Sequence, residues 1–91
     1  MATRHRSAIK RHRQNIKRRA RNRAIRTRVR SDIRQVREAV SRQDLPAAET
    51  ELRTAMKDLS RAVSKGVLHR NAGSRRIARL SRQVAGLKGT G

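Results

Sequence analysis

The chain has 91 residues, with 26 Lys and Arg against 6 Asp and Glu and a formal net charge of +20. It contains no Trp, Tyr, Phe or Cys, which excludes disulfides, thiolate metal sites and an aromatic core, and fits a reducing compartment. No apolar run approaches the length of a membrane span or reads as a secretory signal. A single small domain with an aliphatic core is expected.

Charge divides the sequence in three. Residues 1–30 carry 13 basic and no acidic residues, residues 31–60 carry 5 basic and 6 acidic, and residues 61–91 carry 8 basic and no acidic. The middle reads as an ordinary segment and the two ends as binding surfaces. Within the first third, residues 17–30 read KRRARNRAIRTRVR, eight cations in fourteen residues. Arg, Lys and Ala favour helix, yet a helix here stacks like charges such as Arg19 over Arg23 and Arg26 over Arg30, which opposes it. Such self-repulsion over an aliphatic core predicts a marginal fold that gains order from a polyanionic partner. Mitochondrial presequences are also Arg-rich and acid-free, but they have an apolar face, and this stretch is cationic nearly all round.

Helical periodicity runs throughout. Ile25, Val29, Ile33, Val36 and Val40 fall on one helix face. Glu38 stands four residues from both Arg34 and Arg42, so two ion pairs are expected on the polar side. Ile9, Ile16 and Ala20 keep helical spacing but lie nearly opposite that stripe. With no Pro or Gly before residue 46, one long helix is expected, its basic arm (1–24) leaving the core and its remainder (25–43) entering it. Pro46 disfavours helix at Leu45 and suits the first turn of a second helix (46–65), for which Asp44 is the expected N-cap. That helix places Ala48, Leu52, Ala55, Met56, Leu59 and Val63 on one face. Gly66 suits the left-handed position after it. Asn71 or Ser74 is expected to cap a third helix (71–88) with the stripe Ile77, Leu80, Val84 and Leu87, and residues 89–91 are expected to fray. Three amphipathic stripes joined by short links predict an all-α, antiparallel three-helix bundle in one domain (1–91), with a long basic first helix projecting from it. No internal repeat and no strand pattern is visible.

No catalytic constellation emerges. His5, His12 and His69 have no metal-ligand spacing, and surrounding cations would repel a metal. Asp32, Glu38, Asp44, Glu49, Glu51 and Asp58 are spread over the middle, where caps and surface ion pairs account for them. There is no phosphate-cradling Gly loop. The informative signal is cationic density, which on a small domain points to nucleic acid. The lack of aromatics argues against a single-strand reader that stacks bases, while the high Arg content suits phosphate forks and guanine edges. These residues alone leave RNA and DNA both open. An amphipathic helix for anionic membrane or a calmodulin-like partner would require bulky apolar anchors that residues 1–24 lack.

Several segments resemble a known family. Ser7-Ala8, Lys10-Arg11, Arg13-Gln14-Asn15, Lys17-Arg18-Arg19 and Arg21-Asn22 resemble the N-terminal helix of the bacterial small-subunit ribosomal protein S-twenty family. So do Arg26-Thr27-Arg28-Val29-Arg30 and Val36-Arg37-Glu38-Ala39-Val40, and the turn Lys65-Gly66-Val67-Leu68-His69-Arg70-Asn71, continued by Arg75 and Arg79-Leu80, is the most distinctive match. The sequence departs from the pattern at Ile9, Ile16, His12, Ala20 and Ile77, and at Gly73-Ser74, where an Ala pair is more usual. The resemblance implies a non-enzymatic structural component of the cytoplasmic 30S subunit that binds 16S ribosomal RNA directly and stabilises its fold during assembly. It implies other small-subunit components as neighbours, and no cofactor, metal, membrane, small-molecule substrate or homo-oligomer. Matching positions assign RNA contacts to Lys10, Arg11, Arg13, Gln14, Asn15, Lys17, Arg18, Arg19, Arg21, Asn22, Arg26 and Arg28. A second region comprises Lys65, His69, Arg70, Asn71, Arg75 and Arg76, where His69 either touches RNA or caps the turn. The alternative is a DNA-compacting architectural protein.

Overall fold

A computed structural model describes the backbone of residues 2–90 and the side chains of residues 7–88. It contains α1 (Ala2–Ser41), α2 (Leu45–Ser64) and α3 (Arg70–Thr90), and no strand among the described residues. The expected all-α three-helix arrangement with a long first helix is what the chain adopts. α2 starts one residue before Pro46, and α3 starts at Arg70 and continues to Thr90, past the point where fraying is expected. Gly91 lies outside the described residues.

Unequal helix lengths set the shape. α1 has 40 residues and α2 has 20, so at 1.5 Å per residue they are about 60 Å and about 30 Å long. α2 folds back along α1 from Leu45 and ends level with Arg21, whose Nη2 donates to the Lys65 carbonyl at 3.5 Å. The rest of α1 therefore has no helix beside it. The molecule measures 70 × 21 × 13 Å with a radius of gyration of 18.3 Å, against about 12 Å for a compact domain of this length. Residues 7–21 are all exposed, and burial begins at Asn22 and Ile25. Ile9 and Ile16 remain 42% and 53% exposed.

The core consists of Val29, Val36 and Ala39 of α1, Ala48, Ala55, Leu59 and Ala62 of α2, Val67 of the second link, and Leu80 and Val84 of α3. Four of the ten are alanine, so the helices approach closely and each contact buries little apolar area. The buried face of α1 centres on Val29, Asp32, Val36 and Ala39, with Ile25, Ile33 and Val40 only partly covered at its flanks. On α2 the expected face is corrected at one position. Met56 is exposed, and Asp58 and Ala62 are buried in its stead, because α1, the main neighbour of α2, covers the side that carries Asp58.

Both links close with the same hydrogen-bond pattern. After α1, Gln43 N donates to Val40 O at 2.9 Å and Asp44 N to Ala39 O at 3.0 Å. After α2, Gly66 N donates to Val63 O at 3.0 Å and Val67 N to Ala62 O at 2.9 Å. This Schellman pattern needs a left-handed residue at C′, and Gln43 and Gly66 supply it with φ of 58° and 75°. Only one of them is glycine. Gln43→Gly is therefore expected to stabilise the free protein by about 1 kcal/mol and Gly66→Ala to destabilise it by about 1 kcal/mol, read by urea denaturation. Asp44 caps α2 as expected, its Oδ1 accepting from Ala47 N at 3.2 Å. The expected cap of α3 is corrected. It is neither Asn71 nor Ser74 but His69, whose Nδ1 accepts from Asn71 N at 3.1 Å.

Gly73 has a packing reason. A Cβ added there would lie 2.7 Å from Val63 Cγ2, so the alanine usual in the resembling family would push α3 off α2 or force Val63 to turn.

Candidate nucleic-acid interface

The arm of α1 carries Lys10, Arg11, Arg13, Lys17, Arg18, Arg19 and Arg21 with no acidic residue between 7 and 21. All seven are exposed, as are Gln14 and Asn15. Because the arm has no neighbouring helix, its guanidinium groups point to every side rather than forming one stripe. Asn22 is half-buried, and its Oδ1 accepts from Arg21 Nη2 at 3.2 Å. The same Nη2 reaches the Lys65 carbonyl. This contact joins the two regions that the sequence places 44 residues apart, the arm and the α2–α3 link with Lys65, His69, Arg70, Asn71, Arg75 and Arg76. Those six are exposed.

His69 holds the start of α3 through Nδ1, so the capping role is realised. Its neutral ring then carries the proton on Nε2, which leaves that nitrogen as a donor. Arg28 has a partner within the protein: its Nε lies 3.1 Å from Asp58 Oδ2. The Arg28 side chain is nevertheless 65% exposed, so the far side of its fork remains accessible.

The carboxylates differ from the sequence expectation. Asp32 and Asp58 are neither caps nor surface partners but are buried between α1 and α2, 9% and 5% exposed. Burial and the adjoining Asp58 carboxyl raise the Asp32 pKa to about 7, Arg28 opposing and Glu51 adding to the rise. The hydrogen bond from Asp32 holds Asp58 below the usual carboxylate range, with Arg28 and Arg61 acting in the same direction. Asp32 Oδ2 is buried without a hydrogen-bond partner. Glu49 pairs with Lys88 at 3.1 Å. Glu38 is within ion-pair distance of neither Arg34 nor Arg42, so those two expected pairs are absent among the described residues. No helix is long and apolar enough to cross a membrane. Among the described residues no cluster of His, Cys, Asp and Glu could hold a metal ion, and the His5 side chain lies outside them.

A feature absent from the sequence expectation is a cleft of about 660 Å³ between α1 and α3, bordered by Arg30, Arg34, Arg37, Arg76 and Arg79 over Ile33 and Leu80. Its signal was present as the spacings 30-34-37 and 76-79, which put each set on one helix face. The near-neutral balance of residues 31–60 concealed it.

Known proteins share this sequence pattern. The small ribosomal subunit protein bS20 of Anaeromyxobacter sp. (strain K) is 49% identical over 49 residues, 54% of each chain. That of Dinoroseobacter shibae is 46% identical over 50 residues, covering 55% of this chain and 57% of the relative. That of Desulforamulus reducens is 44% identical over 52 residues, covering 57% and 59%. The aligned segments thus span little more than half the length of these curated relatives. The family model described as ribosomal protein S20 matches residues 3–85. With nearly all of α1, the whole of α2, the Lys65–Asn71 link and α3 as far as residue 85 inside that match, the chain belongs to the ribosomal protein S20 family.

Proposed function

We propose that the chain is a structural component of the bacterial small ribosomal subunit, located in the cytoplasm, that binds 16S ribosomal RNA directly and stabilises its fold during assembly. One observation carries this reading: residues 7–21 form a helix exposed on every face, with seven cations and no acid. A cationic rod without a face suits insertion between RNA segments, since phosphates on all sides relieve its self-repulsion and RNA segments that repel each other are screened. The relatives, small ribosomal subunit proteins by name, support the same setting. In this reading Lys10, Arg11, Arg13, Gln14, Asn15, Lys17, Arg18, Arg19, Arg21, Asn22, Arg26 and Arg28 contact RNA along α1. Lys65, His69, Arg70, Asn71, Arg75 and Arg76 do so at the link, and Arg28 divides its fork between RNA and Asp58. The family does not favour a DNA-compacting role.

Engagement of about eight phosphates gives an expected log–log slope of affinity against salt of about −6 to −7. Filter binding of a 16S ribosomal RNA transcript across a KCl series measures it. A slope near zero, or equal competition by duplex DNA, would overturn the proposal.

A further inference from the structure

The α1–α3 cleft extends beyond the arm-and-link interface just described, with which it shares Arg76 alone. Arg30, Arg34 and Arg37 line it from α1, and Arg76 and Arg79 from α3. None of the five is in an ion pair; among the described residues the pairs are Arg28–Asp58 and Lys88–Glu49. Glu38 is the sole acid on the rim. Convergence of five guanidinium groups on one opening opposes the packing of α1 against α3, and an anion between them removes that opposition. The cleft also does not end at Arg30. A smaller opening of about 170 Å³ shares Arg26, Arg30 and Arg76 with its neighbours, and a further one of about 370 Å³ runs back past Arg23 to Arg19. Arginines therefore line one track from Arg19 to Arg37, about 27 Å along α1.

We infer that the α1–α3 cleft is a second RNA-binding site, holding a sugar–phosphate backbone segment that continues from the arm. This rests on the proposed RNA-binding function. The occupant is a polyanion with charge at every unit, because the guanidinium groups recur along the whole track with a single interspersed acid. Arg forks suit phosphate oxygens bidentately, and Ile33 and Leu80 beneath them offer an apolar floor to the sugars.

The test compares three full-length variants by filter binding to a 16S ribosomal RNA transcript over a KCl series. Arg34→Ala/Arg37→Ala/Arg79→Ala empties the cleft. Arg42→Ala/Arg53→Ala/Arg82→Ala removes the same charge elsewhere. Arg18→Ala/Arg19→Ala/Arg21→Ala reports on the arm. The cleft variant is expected to bind roughly 10- to 100-fold more weakly near physiological salt and to lose about 2–3 from the magnitude of the salt slope, while the control loses less than about 1. Removing repelling charges lets the cleft variant melt no lower than the wild type, so lost binding is not lost folding. Arg34→Lys/Arg37→Lys/Arg79→Lys is expected to keep the slope and lose a few-fold in affinity, as the forks are lost and the charge is not. Equal losses in cleft and control variants, wild-type binding by the cleft variant, or displacement of the RNA from the cleft by polyglutamate at equal charge concentration would each overturn the inference. If the arm variant weakens binding and the cleft variant does not, the cleft inference falls and the proposed function stands. If the wild-type protein shows no salt-dependent RNA binding, the proposed function itself falls.

Discussion

Asp32→Asn is expected to stabilise the free protein at neutral pH by up to about 4 kcal/mol, among the largest effects available to a single substitution here. The Asp32 pKa rises from 3.8 to about 7 on folding, and each unit corresponds to about 1.4 kcal/mol. The sign follows from proton binding. Between pH 3.8 and about 7 the folded state holds a proton on Asp32 that the unfolded state has released, so stability falls as pH rises through that window. Asp58 acts oppositely. Its pKa is lowered on folding, so its contribution is present above the ordinary carboxylate value and is lost as pH falls through the folded one. The pair alone thus places maximal stability near pH 4, on the acid side of the usual optimum. An asparagine keeps the shape and still donates a hydrogen bond to Asp58, but has no proton to lose. Urea denaturation of wild type and Asp32→Asn at pH 4.5 and 7.5 reads the effect. The two proteins are expected to converge at the lower pH and to separate at the higher. A constant difference at both values would show that Asp32 does not carry the shared proton.

Arg18→Ala/Arg19→Ala/Arg21→Ala is expected to reduce affinity for 16S ribosomal RNA by roughly 100-fold near physiological salt and to lower the salt slope by about 2–3. The three residues lie in the fully exposed part of α1, so their removal leaves the core intact and lessens like-charge crowding within the helix. Phosphate contacts position a protein without reading sequence, so the loss is expected to be uniform across RNA fragments. Filter binding to several fragments of the small-subunit RNA checks this. Loss confined to one fragment would show that these arginines read bases. Circular dichroism of the free and RNA-bound protein extends the test, because phosphates that relieve crowding are expected to increase the helical signal of the arm.

Local sequence fixes the elements because their causes lie within a few residues of one another. The spacing of Ile25, Val29, Ile33, Val36 and Val40 is a property of one helix, and so is the unbroken continuation back through the cationic run. Pro46, Asp44 and Gly66 mark the links through restrictions on their own backbones and nearest hydrogen bonds. Cationic density on the arm and the Lys65–Asn71 turn was equally legible. Gln43 was not, because a left-handed glutamine carries no compositional signal where glycine would.

Faces and partners were settled across the fold. Whether Met56 or Asp58 turns inward depends on which side of α2 meets α1, and periodicity tolerates both. Asp32 and Asp58, 26 positions apart, became neighbouring buried carboxyls whose pKa values are pushed apart only when two helices closed over them. His69 became a cap because α3 starts at Arg70, two residues before an Asn71 cap would place its start and five before a Ser74 cap would. Arg21 meets Lys65, and Arg30, Arg34 and Arg37 meet Arg76 and Arg79, because α2 is half as long as α1 and returns the chain to its midpoint. The sequence by itself determined that three helices form and that the arm of the first is too cationic to lie buried in protein. Tertiary structure decided where the charges converge, since electrostatic energy depends on distance through space and not along the chain.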